Sequence, residues 1–255
     1  MRELRESLSL ALRLAERFGF HEGICNHFSV RVHDAPAEGD APAPADERYL
    51  FNPYGAHWSE IGADDLLLTD GTGRVLEGRG EVEATALNIH VAGHRANARH
   101  RAVFHTHMPW ATALTMLELP AGTLRMAHQS ACRFAGRLVR EEAFGGLAHD
   151  ADEGERLAAA VRANPDADVT LLANHGVVVG APSVALAFDE LYYLERACRQ
   201  QVLAMQTGAP LKLLPDEVVA RTAAQFARDL EPVARAHFEA LGRVLAARPD
   251  RAMTF

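Results

Sequence analysis

The residues with the clearest chemical potential in this sequence are histidines. His105 and His107 form an HTH pattern directly after the apolar residues 102–104. Residues i and i+2 of a β-strand point to the same face, so both imidazoles can reach one ion. His175 also follows an apolar run, residues 169–173, at a tight turn. Three such histidines suit a divalent metal with an open coordination position. The alternative is that the imidazoles cap strand ends by hydrogen bonding to the backbone.

Neutral imidazole binds several transition metals. Zn²⁺ is the ion that we expect, with Mn²⁺, Fe²⁺ and Co²⁺ as alternatives. An HxH pair alone occurs by chance, and it is the distal His175 that favours the metal hypothesis.

The hydrophobic pattern predicts the elements that position these histidines. Apolar alternation and apolar runs predict strands at 27–32, 48–52, either side of the Gly-rich turn in 66–78, 101–107, and either side of the turn in 168–182. Helical periodicity predicts helices at 2–19, 84–98, 109–117, 152–163, 183–206 and within 215–246. The Pro-, Ala- and Asp-rich segment 33–47 predicts an exposed hairpin loop. This order predicts a mostly antiparallel sheet between helices.

Composition restricts the class of protein. The 255 residues fit one large α/β domain, and 48% hydrophobic with 24% charged residues is typical of a chain with a packed core. The net charge of −8 argues against nucleic-acid and acidic-membrane partners, because phosphates would be repelled. Three scattered cysteines predict a reducing compartment. The charged N-terminal stretch reads as an amphipathic helix rather than a signal peptide, and no apolar stretch spans a membrane, so we expect a cytoplasmic protein.

Four segments in order resemble one known family. Class II aldolases of the fuculose-phosphate type and adducin head domains contain segments similar to EGICNHFSVRV, YLFNPYGAHWSEIGADDLLLTDGTGRVLEG, AVFHTHMPWATAL and LLANHGVVVGAPSVALAFDELYYLERACRQQVLA. The first two segments are closer to the adducin-like branch. The HxH pattern is weakly specific, whereas the ordered series NHFSVR, NPYG, HTH and NHG is highly specific.

The resemblance implies a three-layer α/β/α fold with a mostly antiparallel central sheet. It implies a single domain over 1–255, with a core at about 5–205 and a C-terminal helical extension at about 206–250. It also implies a homo-oligomer, usually a tetramer, and a zinc ion held by the residues that match His105, His107 and His175. In the sugar-phosphate aldolases this metal polarises a carbonyl and stabilises an enediolate.

One departure from the aldolases concerns acid–base chemistry. Ala86 occupies the position of the aldolase glutamate that shuttles a proton, so the standard aldol mechanism is in doubt. Glu83 is a candidate substitute from a different direction. The simpler interpretation of Glu83 is a carboxylate at a helix N-terminus, stabilised by the helix dipole. His90, four residues after Ala86, is either a catalytic residue or a hydrogen-bonded core histidine.

A second departure concerns the substrate. Asn26 and His27 replace the Gly-Asn pair with which the aldolases cradle a phosphate, so we expect a substrate without phosphate. Asn26 is then a candidate for binding a carboxylate, and His27 is a further catalytic candidate. The alternative is a reshaped loop.

Three further residues are candidates for substrate binding. Tyr54 lies in the NPYG segment. Trp110 follows the HTH segment, and it either covers the metal or packs in the core. His128 is expected after a small strand that follows the HTH helix, where the family lines its pocket.

The favoured hypothesis is a metal-dependent lyase. It would act on a small carbonyl compound or a hydroxy or oxo acid by retro-aldol cleavage or decarboxylation, through a metal-stabilised enolate. Decarboxylation needs less acid–base assistance, which suits Ala86. The alternative is a non-catalytic, adducin-like binding and oligomerisation module. An iron-dependent oxygenase on the same scaffold is the third hypothesis.

Overall fold

A computed structural model describes residues 1–33, 43–146, 151–248 and 253. The helices are α1 (Arg2–Arg17), α2 (Ala84–Ala96), α3 (Pro109–Thr115), α4 (Ala151–Ala163), α5 (Val184–Met205), α6 (Asp216–Arg228) and α7 (Leu230–Ala247). The strands are β1 (His27–Arg31), β2 (Tyr49–Phe51), β3 (Leu67–Thr69), β4 (Val75–Glu77), β5 (Ala102–Thr106), β6 (Leu138–Glu141), β7 (Val169–Leu172) and β8 (Gly176–Ala181). Short 3-10 helices cover Ala63–Asp65 and Gln129–Phe134. Most of the predicted hairpin loop, residues 34–42, lies outside the described residues.

The eight strands form one sheet in the order β4-β3-β2-β1-β5-β8-β7-β6. Every pair is antiparallel except β6 with β7, so the predicted mostly antiparallel sheet is confirmed. In the centre of the sheet, His27 of β1 lies opposite His105 of β5, and Phe28 lies opposite Phe104. This register places two histidine-bearing positions side by side at one end of the central strands.

Helices cover both faces of the sheet, which confirms the three-layer α/β/α fold. On one face, α1, α3, α5 and α7 enclose the main hydrophobic core, where the rings of Phe28 and Phe104 stack with centroids 3.8 Å apart. On the other face, Ile89 of α2 and Leu157 of α4 pack together against Leu172 of β7. Because strand side chains alternate, β1 directs Phe28 into the main core, whereas Ser29 contacts α2.

Two helices begin at residues that suit a helix N-terminus. The Ser183 side chain accepts a hydrogen bond from Leu186 N at 3.1 Å, so Ser183 is the N-cap of α5. Pro109 begins α3, and the N–H groups of the next two residues donate to the Glu195 carboxylate of α5 at 2.9 Å. Among the described residues, no helix has both the length and the apolar character needed to cross a membrane.

The segment between α3 and His128 corrects one expectation. The small strand expected there is absent from this described part of the chain, and residues 117–128 are irregular. Pro120 and Gly122 disfavour a strand, and the Gln201 side chain satisfies backbone groups that a ladder would otherwise pair, donating to Thr123 O and accepting from Arg125 N. The strand that sequence reasoning missed is β6. It is short and charged, as edge strands commonly are.

Candidate metal centre

Three histidines converge at one end of the sheet. His105, His107 and His175 each offer a ring nitrogen, and these nitrogens lie within 4.8 Å of one another. The ring centroids are 4.8–4.9 Å apart in all three pairs. The Nε2 atoms of His105 and His107 are 3.1 Å apart. We call these three residues the first histidine cluster.

The backbone around the β7–β8 turn allows this convergence. Asn174 adopts a left-handed conformation with φ of 58°, which reverses the chain between the two strands. A Cβ atom on Gly176 would lie 2.6 Å from Thr106 O and 2.8 Å from His107 Cδ2. Only glycine therefore lets the turn approach β5 closely enough to bring His175 to His107.

The other ring nitrogens fix the tautomers of two of these histidines. His105 Nδ1 lies 3.0 Å from Val177 O, and His107 Nδ1 lies 2.5 Å from a carboxylate oxygen of Glu22. A carbonyl and a carboxylate only accept hydrogen bonds, so each Nδ1 donates, and in the neutral imidazole each Nε2 then carries a lone pair. This is the arrangement by which metal-binding histidines are commonly held.

Two lone pairs that face each other at 3.1 Å repel unless a cation lies between them. Nitrogens bound to one tetrahedral Zn²⁺ at about 2.0–2.1 Å lie roughly 3.3–3.4 Å apart. The residues present therefore fit a divalent metal.

Burial favours the neutral, ligating form of His105 and His175. Desolvation, reinforced by the neighbouring His175 and His107, holds the pKa of His105 well below its usual value. Desolvation followed by His107 lowers the pKa of His175 to about 4, against a raising effect of Glu22. A neutral imidazole is the form that binds metals.

Glu22 contacts the first histidine cluster, and the sequence did not single it out as a site residue. Its carboxylate bonds to His107 although the two residues are 85 positions apart. Its side chain is 64% exposed, so nothing in the hydrophobic pattern marks it. The segment that carries it, EGICNHFSVRV, did enter the family resemblance.

The predicted residues Asn26 and His27 lie beside the first histidine cluster. Asn26 adopts a left-handed conformation with φ of 76°, and its Oδ1 accepts from His107 N at 3.3 Å. His27 is paired across the sheet with His105, and burial lowers its pKa to about 4. The Asn26 Nδ2 atom and both ring nitrogens of His27 are buried without a hydrogen-bond partner in the described protein. Such groups are uncommon and favour a ligand that satisfies them.

Glu83 and His90 lie on α2 next to His27. The Glu83 carboxylate accepts from Ala86 N at 3.0 Å and from the Thr85 hydroxyl, so it is the N-cap of α2, as the simpler interpretation holds. The same oxygen is 3.8 Å from His27 Nε2. His90 Nδ1 is 2.6 Å from Ser29 Oγ, whereas its Nε2 is buried without a partner.

The three remaining substrate-binding candidates are Tyr54, Trp110 and His128, and their environments differ from that of the first histidine cluster. Tyr54 is 48% exposed in the loop after β2. Trp110 packs against the main core, with the Arg199 guanidinium 5.6 Å from its ring centroid, which matches the core-packing alternative. His128 caps the 3-10 helix Gln129–Phe134 by accepting from Ser130 N at 3.2 Å. Trp110 therefore contacts the main core and Arg199, and His128 contacts a 3-10 helix; neither contact involves the first histidine cluster.

Known proteins are similar to this chain in sequence and in fold. Decarboxylase NovR of Streptomyces niveus is 31% identical over 87% of this chain and 77% of its own length. The 4-hydroxy-3-prenylphenylpyruvate oxygenase/4-hydroxy-3-prenylbenzoate synthase of Streptomyces roseochromogenus is 30% identical over 87% of this chain and 75% of its own. The crystal structure of an aldolase II superfamily protein from Pseudomonas syringae superposes with a TM-score of 0.82 and 33% identity, covering 96% of this chain and 92% of that one. The sequence model for the Class II Aldolase and Adducin N-terminal domain matches residues 6–202, and the chain therefore belongs to the class II aldolase and adducin family.

Proposed function

We propose that this protein is a metal-dependent lyase that acts on a small oxo or hydroxy acid and cleaves the bond between the α and β carbons of a carbonyl group, by retro-aldol cleavage or decarboxylation, so that the electron pair left behind forms an enolate. Zn²⁺ is the ion that we assign to His105, His107 and His175. The observation that carries the proposal is the 3.1 Å approach of the His105 and His107 Nε2 atoms, with each Nδ1 atom already facing an acceptor.

A divalent ion held there would supply Lewis-acid stabilisation of the negative charge that develops on a substrate oxygen during cleavage. The chain's own residues would do the rest. Glu22 holds His107 in the ligating tautomer, and Val177 O does the same for His105. The exposed position of the Glu22 side chain indicates that the entrance of the site lies on this side.

Asn26, His27 and His90 are proposed to bind the substrate carboxylate. Each has a buried polar nitrogen without a partner, and the three residues lie on adjoining elements, with the His27 and His90 rings 6.1 Å apart. A carboxylate accepts up to about four hydrogen bonds and would satisfy such donors. The S. roseochromogenus relative acts on a phenylpyruvate, which is a 2-oxo acid, and this supports the substrate class.

Proton transfer is assigned to His27 and Glu83. The Glu83 carboxylate is 3.8 Å from His27 Nε2, so a small movement would bring the two into hydrogen-bond contact. Ala86 itself is fully buried and offers no titratable group. Decarboxylation leaves a single proton to deliver after bond cleavage, so it requires less of this pair than an aldol reaction does. The decarboxylase of S. niveus is consistent with this choice.

Two other functions are distinguishable. An adducin-like binding module would keep the fold and bind metal without turnover. An iron-dependent oxygenase is favoured by one observation, the 30% identity to an oxygenase, and would consume O₂ with Fe²⁺ bound.

One experiment separates these functions. Metal-depleted protein is reloaded separately with Zn²⁺, Fe²⁺, Mn²⁺ or Co²⁺ and is offered 2-oxo acids, 2-hydroxy acids and free and phosphorylated aldol substrates. CO₂ release, aldehyde release and O₂ uptake are recorded, with His107→Ala as the control. Metal-dependent cleavage of unphosphorylated acids without O₂ uptake supports the lyase. O₂ uptake with Fe²⁺ supports the oxygenase, and stoichiometric metal binding without turnover supports the module. Turnover of phosphorylated sugars alone contradicts the assigned substrate.

We also propose a homo-oligomer, most simply a tetramer. Three apolar side chains that follow α3, Met116, Leu117 and Leu119, are 38–63% exposed, and the exposed Phe144 lies 6.0 Å from His175 between ring centroids. Cyclic assembly buries one apolar patch repeatedly. Light scattering that reports only the 27.8 kDa chain at micromolar concentration contradicts this proposal.

A further inference from the structure

A second cluster of metal-ligating side chains lies outside the centre described above. It consists of Glu16 near the end of α1, His21 just after α1, and His57 in the loop between β2 and β3, and we call it the second histidine cluster. One ligand atom from each side chain lies within 4.8 Å of the others. The Nε2 atoms of His21 and His57 are 3.2 Å apart, and the ring centroids are 5.0 Å apart with planes at 84°.

This geometry closely matches the first histidine cluster. There the corresponding Nε2 atoms are 3.1 Å apart, and the rings are 4.9 Å apart with planes at 78°. In both places two imidazoles approach edge to face with their Nε2 atoms together. A proton or a metal ion must lie between such nitrogens, because two lone pairs at this distance repel.

The third side chain supplies a negative charge. The Glu16 Oε2 atom is buried and accepts no hydrogen bond within the described protein, although Arg17 Nε lies 3.5 Å away. Two imidazoles and one carboxylate are the donor set of many zinc sites and of non-haem iron sites. Burial, reinforced by His57, lowers the pKa of His21 against the raising effect of Glu16, which favours its neutral, ligating form.

The loop around His57 is held in place for such a role. Trp58 is fully buried in the main core, and His57 N donates to Glu60 at 2.7 Å. His57 Nδ1 is 2.7 Å from Ser59 Oγ, which can accept its hydrogen and leave the Nε2 lone pair free. The cluster is half-buried, so an ion has access from solvent.

We propose that Glu16, His21 and His57 form a second binding site for a divalent transition-metal ion. An ion there joins the end of α1 to the β2–β3 loop. It also restrains the segment after α1, in which Glu22 follows His21 directly. The competing explanation is a hydrogen bond between the two imidazoles, with a proton where the metal would be.

Metal stoichiometry tests the proposal without reference to activity. Metal-depleted protein carrying Cys25→Ser, which removes the exposed thiol, is titrated with Co²⁺ and followed by its visible absorption, then by competition with Zn²⁺. We expect two ions per chain in this background. His21→Ala and His57→Ala should each bind one, His107→Ala should bind one, and the combination of His21→Ala with His107→Ala should bind none. His33→Ala, at an exposed histidine, is the matched control and should still bind two.

Glu16→Gln keeps the shape of the side chain and covers the case in which a histidine variant does not fold. The substitution should weaken binding of the second ion about tenfold or more and leave binding of the first ion unchanged. The melting temperature in the presence of a chelator should not change. One ion per chain before substitution overturns the proposal and leaves the imidazole–imidazole hydrogen bond. Two ions that survive both His21→Ala and Glu16→Gln also overturn it. Loss of metal only in His107→Ala would support the first metal site, on which the proposed function depends, while rejecting this second site, so the two failures are distinguishable.

Discussion

The two histidine clusters have nearly the same nitrogen spacing but different partners on the opposite ring nitrogens. In the first cluster, Nδ1 of His105 and of His107 each face a group that only accepts, a carbonyl and a carboxylate. In the second, His57 Nδ1 faces the Ser59 hydroxyl and the Ser59 N–H at 3.4 Å, and His21 Nδ1 is buried without a partner. A hydroxyl donates or accepts, so the tautomer of His57 is not fixed.

This difference shows that the nitrogen–nitrogen distance alone does not predict which of two candidate sites binds metal more tightly. The partner of the distal ring nitrogen decides whether the proximal nitrogen is a lone pair before the ion arrives. Where the tautomer is fixed, binding requires no rearrangement. We therefore expect the first histidine cluster to bind metal more tightly than the second.

The largest expected effect is that of His107→Ala. It removes a ligand from the first cluster, and we expect loss of the tighter metal site and a fall in kcat/KM of roughly 10³-fold or more, because Lewis-acid stabilisation contributes several kcal/mol. Chelator competition and steady-state kinetics measure the two effects. His33→Ala serves as the control. Retention of tight metal binding in His107→Ala would contradict the assignment of the first cluster.

Substitution of Glu22 tests the role of tautomer fixation directly. Glu22→Ala should weaken metal binding at the first cluster by roughly 10–100-fold, the usual effect of losing the acceptor behind a metal-bound histidine. Glu22→Gln keeps an acceptor oxygen without the charge and should lie near the lower end of that range. Glu6→Gln, at an exposed glutamate paired with Arg2, is the control. Equal affinity in Glu22→Ala and the unchanged protein would show that the carboxylate plays no part.

The pH dependence of stability separates the two clusters further, because His27 lies beside only the first. Burial lowers the pKa of His27 to about 4, while Glu83 raises it and His107 lowers it to smaller extents. The unfolded pKa is about 6.5. Because the pKa of His27 is lower in the folded than in the unfolded protein, neutral His27 contributes to the free energy of unfolding above about pH 6.5. This contribution is lost as the pH falls from about 6.5 towards 4.

Metal-depleted protein should therefore lose on the order of 2 kcal/mol of unfolding free energy from His27 between pH 7 and pH 5. Urea unfolding of the unchanged protein and of His27→Asn at both pH values measures this loss. Between pH 7 and pH 5 the unfolding free energy of His27→Asn should fall by about 2 kcal/mol less than that of the unchanged protein. Parallel pH profiles in the two proteins would contradict the depressed pKa.

The smallest expected effect is that of Ser59→Ala. It removes the hydroxyl beside His57 Nδ1, and we expect a loss of about 0.5–1.5 kcal/mol in stability, as for a typical hydrogen bond. Metal affinity at the second histidine cluster should fall less than about tenfold, because the tautomer was not fixed beforehand. A larger loss, equal to that of Glu22→Ala at the first cluster, would remove the contrast between the clusters.

Much of the fold was predictable from the sequence. The predicted helices and strands agree with the structure to within a few residues, because hydrophobic periodicity is local and follows from the geometry of each element. The strand β6 was missed because its pattern is short and charged. The strand expected before His128 was wrong because a side chain from α5, Gln201, satisfies that segment's backbone.

The sequence by itself determined that His105 and His107 share a face, and it indicated His175 as their partner, since strand alternation and the turn after an apolar run are local properties. Tertiary structure alone decided which residue stands behind each imidazole. Pairing of β1 with β5 sets His27 opposite His105, and the chain between α1 and β1 brings Glu22 to His107. The same segment carries His21, which meets His57 from the loop after β2. Hydrogen-bond partners of this kind are tens of residues apart, so no local period encodes them, and only the packed sheet and helices bring them together.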